Sequence, residues 1–260
     1  MDKLVSVVLP VYNGSDFLQQ TIESIVAQTY RDFEVIVVDD GSTDNSAEIV
    51  QKYGDERFII LQRESNLGLV RALNLGVKKA STDLISRIDA DDLMVPERLL
   101  TQVQFMADNT DIDICGSYFD YINEVGRSTG GALAFPITHR DVKASFQHFT
   151  AIGHPTVIFR KSSIIRDFGR EDIYDEEFKH AEDLALWLEC LTFGLNFANI
   201  PQVLTHYRVH GEQRSTAEAQ ICEDYTKLAR KRFGDWLSWS EDIDLESAVP
   251  LRNLTFKRKA

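Results

Sequence analysis

The chain has 260 residues, 43% of them hydrophobic, enough to bury the core of one large domain with an elaborated C-terminal part. A formal net charge of −13 argues against a general nucleic-acid binder, which presents a basic face. The three cysteines, Cys115, Cys190 and Cys222, are odd in number and far apart, so neither a disulfide frame nor a zinc spacing follows, and a reducing, cytoplasmic setting is expected.

The first apolar run, residues 4–11, follows a single lysine and contains Pro10. It is too short to span a membrane and reads as a buried strand over residues 4–9. Residues 15–29 form a helix with Ser15 as N-cap and Phe17, Leu18, Ile22, Ile25 and Val26 on one face. Residues 33–38 are apolar nearly throughout, as in a parallel sheet covered on both faces. Asp39-Asp40-Gly41-Ser42-Thr43-Asp44 breaks that strand, and Asp44 caps a helix carrying Ile49 and Val50. A third strand at 57–61 leads to a helix at 69–80, entered through Asn66 and Gly68. A fourth strand at 84–88 leads to a helix at 96–107, opened by Pro96. This alternation is the mark of an α/β, doubly wound, mostly parallel sheet flanked by helices. Ligands bind such sheets outside the carboxyl ends of the strands. The polar clusters at residues 10–14, 39–42 and 89–92 are therefore expected on one rim.

The second half is less regular. A strand at 112–122 with Gly116 as a bulge precedes a glycine-rich loop around Gly126, Gly130 and Gly131. A short strand covers 154–159. Residues 181–191 form a helix with Leu184, Trp187, Leu188 and Leu191 at helical spacing and Glu182-Asp183 at its start. A strand at 203–209, a helix at 221–233 and a basic tail at 252–260 complete the chain.

Three carboxylates in four residues, Asp89, Asp91 and Asp92, repel one another at the end of a buried strand. A hard divalent ion with a taste for oxygen ligands, Mg²⁺ or Mn²⁺, is the simplest compensation. A bare Asp-x-Asp is more often a solvated acidic turn; its position after a buried strand, together with the other segments, reverses that balance in favour of a site. Asp40 stands where a carboxylate can accept a ring N–H, which uracil, thymine and guanine offer and cytosine does not. Tyr12 can pack on a base while the Asn13-Gly14 turn lets the backbone come close, with Pro10 and Val11 shaping the approach. Arg71, after Asn66-Leu67-Gly68, faces the base or a phosphate, or is a solvated helix arginine. Arg208, His210 and Arg214 suit phosphate or metal-site contact in a lid-like stretch.

The ordered set Val8-Leu9-Pro10-Val11-Tyr12-Asn13-Gly14, Val38-Asp39-Asp40-Gly41-Ser42-Thr43-Asp44, Asn66-Leu67-Gly68, Asp89-Ala90-Asp91-Asp92, Glu182-Asp183-Leu184-Ala185-Leu186-Trp187 and Tyr207-Arg208-Val209-His210 resembles the family 2 glycosyltransferases over about residues 4 to 210. The resemblance implies a GT-A fold with an irregular C-terminal acceptor side, a nucleotide-diphosphate sugar donor with UDP favoured, a divalent metal, and inversion at the anomeric carbon. It implies Asp91 as a metal ligand, with His210 beside it, and Asp89, Ala90 and Asp91 against the donor. Asp89 either sits near the donor ribose or assists the metal; Asp92 either supports the site or caps the next segment. Asp183 is implied as the general base, Glu182 as a residue positioning the acceptor or a neighbouring loop, and His154 as lying near the acceptor with Arg208 in the lid.

The expected organisation is a glycosyltransferase domain over residues 1–215, with 1–110 serving the nucleotide sugar and 111–215 the acceptor, followed by a helical extension at 216–260. The acceptor is a glycan or lipid-linked glycan. Trp236, Trp239 and the basic residues of the tail are candidates for contact with the inner face of a membrane. Two other readings are open. A non-catalytic sugar-nucleotide-binding module would share the same donor residues, and a sugar nucleotidyltransferase would share the sheet but carry a basic glycine-rich loop where residues 10–16 lack one.

Overall fold

The computed structural model describes residues 4–211 and 218–234. Nine strands and eight helices alternate along them: β1 (Val5–Val11), α1 (Ser15–Val26), β2 (Phe33–Asp39), α2 (Ser46–Lys52), β3 (Phe58–Gln62), α3 (Leu69–Lys79), β4 (Leu84–Arg87), β5 (Leu93–Met94), α4 (Arg98–Asp108), β6 (Ile114–Ile122), β7 (Ser128–Leu133), α5 (His139–Ser145), β8 (Ile158–Arg160), α6 (Lys161–Phe168), α7 (Glu182–Thr192), β9 (Phe197–Arg208) and α8 (Ala219–Gly234). One sheet in the order β3-β2-β1-β4-β8-β6-β9-β5 runs through the molecule, with β7 paired to β6. β1, β2, β3 and β4 are parallel; β8 is antiparallel to both β4 and β6 and so restores the original direction in β6 and β9.

Strand alternation divides the core in two. Val5, Val7, Leu9, Val35 and Val37 meet α1, α2 and α4 on one face, while Val8, Ile36 and Val38 meet α3 on the other, which α7 also covers. Each such fully buried valine contributes about 2 kcal/mol. Gly76 of α3 exists for this contact, because a Cβ there would lie 2.5 Å from Val8 Cγ1.

Several expectations need correction. Ser15 is not the cap of α1: Gly14 occupies that position, and the Ser15 N–H donates to Asp44 at 2.9 Å. The helix after Pro96 starts at Arg98, because Leu93 and Met94 first pair with β9. The glycine-rich loop is largely strand β7, and the strand expected over 154–159 opens with a 3-10 turn over His154–Thr156. The register of β6 against β9 shifts between Ser117 and Phe119 rather than at Gly116. β9 begins six residues earlier than its sequence pattern indicated, since Pro201 and Gln202 interrupt the apolar run without ending the pairing with β6.

Candidate active site

Parallel pairing brings the ends of β1, β2 and β4 to one rim, as expected of the three polar clusters. The loops after β1 and β2 are laced together by short polar side chains. The Asn13 N–H donates to Ser42 Oγ at 3.0 Å, the Thr43 N–H to Asn13 Oδ1 at 2.8 Å, and the Gly14 N–H to Ser46 Oγ at 3.0 Å. Asn13 has a φ of 48°, a left-handed conformation that asparagine tolerates. Pro10 and Val11 are buried beneath this turn, and Tyr12 is left 51% exposed at its crest.

Asp40 is buried, and its carboxylate accepts the Leu67 N–H and the Gly68 N–H, the latter at 2.7 Å, with Arg63 Nη1 at 3.1 Å. It thus fixes the start of α3, where Asn66 Oδ1 also accepts the Gly68 N–H at 2.9 Å. Beside it lies an open cavity of about 480 Å³ lined by Gly41, Ser42, Thr43, Gln62, Arg63 and Glu64. Arg71, further along α3, is drawn away to Glu176 at 2.8 Å.

The third cluster is the most charged. Oxygen atoms of Asp89, Asp91 and Asp92 lie within 4.8 Å of one another. Arg87, the last residue of β4, grips Asp89 with both terminal nitrogens, Nη1 donating to Oδ2 at 2.6 Å and Nη2 to Oδ1. Asp92 is fully buried; its Oδ1 accepts the Arg208 N–H at 2.9 Å, and its Oδ2 has no hydrogen-bond partner among the described residues. Burial first, then the charges of Asp91 and Asp89, push the Asp92 carboxyl well above the usual carboxylate range. Asp91 Oδ2 is 3.0 Å from His210 Nε2, and the His210 ring rests on Phe17 at 4.8 Å. Ala90 is held by Thr21, whose hydroxyl donates to its carbonyl oxygen at 2.8 Å. An orphaned buried carboxylate oxygen among crowded acids and an imidazole is a donor set that fits a hard divalent cation.

Arg208 does not stand in a lid. It is fully buried and braces the acids from behind: Nε donates to the Asp91 carbonyl at 2.6 Å, Nη1 to the Glu124 carbonyl at 2.7 Å, and Nη2 to Gln20 Oε1 at 3.0 Å, with the guanidinium over the Phe17 ring. Arg214, Trp236, Trp239 and the basic tail lie outside the described residues.

The second carboxylate pair sits at the start of α7. Glu182 is buried, and Asp183 is half-buried with its Oδ1 accepting the Leu184 N–H at 2.7 Å. Burial opposes the charge on Arg87, but Asp89, Tyr174, Glu182 and Asp92 outweigh it and raise its pKa, so the guanidinium gripping Asp89 also feels Glu182. His154 lies beneath this helix. Its Nε2 is 3.0 Å from the Tyr174 hydroxyl, and its ring meets Trp187 edge-on at 6.0 Å. Trp187 is four residues beyond Asp183, hence on the same side of α7.

Sequence reasoning missed Arg87, Arg98 and Tyr174. Arg98 is fully buried and donates to the Arg87 carbonyl at 2.7 Å, to Thr205 Oγ1 at 3.0 Å and to Ser86 Oγ at 3.3 Å. Burial pulls its guanidinium down to about 9, still charged at neutral pH. The available signal was an arginine closing an apolar strand just before the acids; nothing local marked Arg98 or Tyr174.

The family model Glycosyl transferase family 2 matches residues 6–166. An uncharacterized glycosyltransferase of Haemophilus influenzae is 32% identical over 222 residues, covering 82% of this chain and 68% of that protein. The UDP-Glc:alpha-D-GlcNAc-diphosphoundecaprenol beta-1,3-glucosyltransferase WfaP of Escherichia coli is 30% identical over 210 residues, covering 80% and 78%. The fold is shared with S. aureus TarS solved with UDP-GlcNAc, at a TM-score of 0.71 and 20% identity over 94% of this chain and 69% of that one. Against TarS 1-349 solved with UDP the chain spans 65% of the solved length, at a TM-score of 0.65 and 22% identity. The fold is that of a GT-A glycosyltransferase, and the chain belongs to glycosyl transferase family 2.

Proposed function

We propose that this glycosyltransferase moves a hexosyl or N-acetylhexosaminyl group from a UDP-sugar to a hydroxyl of a glycan or lipid-linked glycan, with inversion and with a divalent metal. The observation that carries this reading is the crowding of Asp89, Asp91 and Asp92 beside His210. Asp91 and His210 would hold Mg²⁺ or Mn²⁺, with Asp89 and Asp92 adjacent. The cation supplies neutralisation of the charge that builds on the departing nucleoside diphosphate.

The chain's own residues do the rest. Tyr12 packs against the base, and Pro10, Val11 and Asn13 present the backbone turn on which it sits. Asp40 and Asn66 shape the pocket wall by fixing Leu67 and Gly68. Asp89, oriented by Arg87, meets the donor ribose next to Ala90. Asp183 takes the proton of the acceptor hydroxyl as that oxygen bonds to the anomeric carbon and the carbon–diphosphate bond breaks. Residues 1–110 serve the donor and 111–215 the acceptor in this division. The WfaP enzyme acts on a diphosphoundecaprenol-linked sugar, which supports a lipid-linked acceptor here. No helix among the described residues is long and apolar enough to cross a membrane.

A panel of UDP, dTDP and GDP sugars, each with Mn²⁺, tests the donor. A UDP-sugar at a hundred times its Kd should stabilise the fold by about 2.7 kcal/mol and should release UDP only when metal is present. Absence of a thermal shift with every sugar would overturn the donor assignment. Binding without turnover, given a panel of glycan and lipid-linked acceptors, would favour the non-catalytic module.

A further inference from the structure

On the acceptor side of the sheet, aromatic side chains gather with no role in the chemistry above. Tyr121 of β6 and Tyr207 of β9 are register partners, with ring centroids 6.0 Å apart and perpendicular planes. Phe119 lies 5.3 Å from Tyr121 and 5.2 Å from Tyr207, and Phe135 lies 5.7 Å behind Phe119. The two phenylalanines are buried and the two tyrosines half-buried, so the tyrosines form the outer layer of the cluster.

Its place relative to the reacting groups follows from the registers. Ile85 of β4 and Ile114 of β6 are level, since both pair with Phe159. From there β4 ends at Arg87, two residues before Asp89, while β6 runs on in the same direction to Ile122. Tyr207 directly precedes Arg208, whose N–H holds Asp92, and projects to the opposite face. Behind the cluster, a Cβ on Gly153 would touch Phe119 and Phe135 at 3.3 Å, and the next residue, His154, packs on Trp187 of α7. The aromatic cluster is therefore joined to the acids through Arg208 and to the helix that begins with Asp183 through His154.

The occupant is constrained by distance. Tyr12 and Asp40 are at the ends of β1 and β2, and β2 is separated from β6 by β1, β4 and β8. Four strand spacings are about 19 Å, so a nucleotide base seated at β1 and β2 does not reach the tyrosines. What lies beyond the acids from the donor is the acceptor. A pyranose ring presents a face of C–H bonds, and a tyrosine offers it a rigid apolar body with a polar edge for the hydroxyls.

We propose that Tyr121 and Tyr207, backed by Phe119, form a platform on which a neutral sugar ring of the acceptor stacks, positioning its hydroxyl toward Asp183. This rests on the reading of the rim as a donor and transfer site.

The test is ¹⁹F NMR of the full chain carrying 3-fluorotyrosine at its eight tyrosines, with Tyr12, Tyr121 and Tyr207 assigned by single Tyr→Phe variants. Methyl β-D-glucopyranoside and methyl N-acetyl-β-D-glucosaminide should move the Tyr121 and Tyr207 resonances, and UDP with Mg²⁺ should move Tyr12 and leave Tyr121 in place. Tyr121→Ala or Tyr207→Ala should weaken glycoside binding about five-fold, in the range a ring contact is worth, while the Phe variants stay within about two-fold. Retention of the Tyr12 response to UDP shows that each variant is folded, and Tyr→Leu replaces any Ala variant that loses it. Glycosides that leave both tyrosines unmoved, Ala variants with unchanged binding, or UDP that moves the pair would overturn the platform. Anionic vesicles that move the pair when glycosides do not would assign the surface to lipid and overturn it equally. A missing Tyr12 response in a chain whose Tyr121 and Tyr207 do answer glycosides would sink the donor reading alone.

Discussion

Asp183, the proposed base, is half-buried at a helix N-terminus. Replacing it by asparagine keeps shape and hydrogen bonding but removes the proton acceptor. Transfer by Asp183→Asn should fall about 10²- to 10⁴-fold, with donor affinity unchanged in a titration of UDP-sugar. Full activity in that variant would remove Asp183 from the chemistry. His210 is paired with Asp91 rather than with solvent. His210→Ala should therefore weaken the Mn²⁺ dependence of UDP binding by about 10- to 100-fold, read by calorimetry at several metal concentrations. Gly41 illustrates a different constraint, with a φ of 78° and a Cβ position 2.5 Å from the Ser65 backbone. Both strain and clash act on Gly41→Ala, which should cost more than about 1 kcal/mol in a urea melt.

At the level of elements, the β1–α1 and β2–α2 connections act as one unit because Asp44 serves both. It accepts the Ser15 N–H at 2.9 Å and the Ser46 N–H at 3.0 Å. Burial opposes its ionisation, but the hydrogen bonds from Ser46 and Ser15 prevail and hold its pKa down at about 2. A folded-state pKa below the ordinary 3.8 means that this stabilisation is present above that pH and is lost as pH falls towards 2. Asp44→Ala should cost about 1 kcal/mol at pH 7 after allowance for partial exposure. The difference from the native chain should vanish in melts near pH 2. The sequence pattern made Asp44 the cap of the Ile49-Val50 helix; Asn45 holds that position and Asp44, one residue earlier, accepts the Ser46 N–H instead. Its second bond, to Ser15, was not legible, because the two residues meet only through strand pairing.

The whole molecule is tied together by groups that the sheet buries between its halves. Arg98 of α4 reaches the Arg87 carbonyl, Ser86 and Thr205 on β4 and β9, and Gln102 carries the network on to the Thr156 carbonyl at 2.7 Å. Arg98→Met would leave those acceptors unsatisfied and remove one of the cations near Asp92, at a cost of about 3 to 5 kcal/mol; thermal unfolding with and without UDP would record it. The sheet itself passes from β4 through β8 to β6 and β9, and β5 pairs only with β9 among the described residues. A chain cut after residue 110 loses Cys115, Ile158, Ile200 and Leu204 from one core. It should fail to give a cooperative melt, whereas the full chain should give coincident near- and far-UV circular dichroism transitions.

The alternating parallel half of the fold, its rim, and the acids on it were determined by local sequence. Apolar runs bounded by polar turns have a single way to pack when helices cover both faces, and strand ends carry their chemistry with them. The second half was poorly legible because its strands take their partners from far away: β8 runs against β4, β7 turns back on β6, and β9 pairs across Pro201 and Gln202. For the same reason only the tertiary structure decided that Arg208 is a buried brace, that His154 bonds Tyr174, and that Arg71 pairs with Glu176. A side chain's type fixes which bonds it can make. Which bonds it does make depends on the elements that long-range pairing brings beside it.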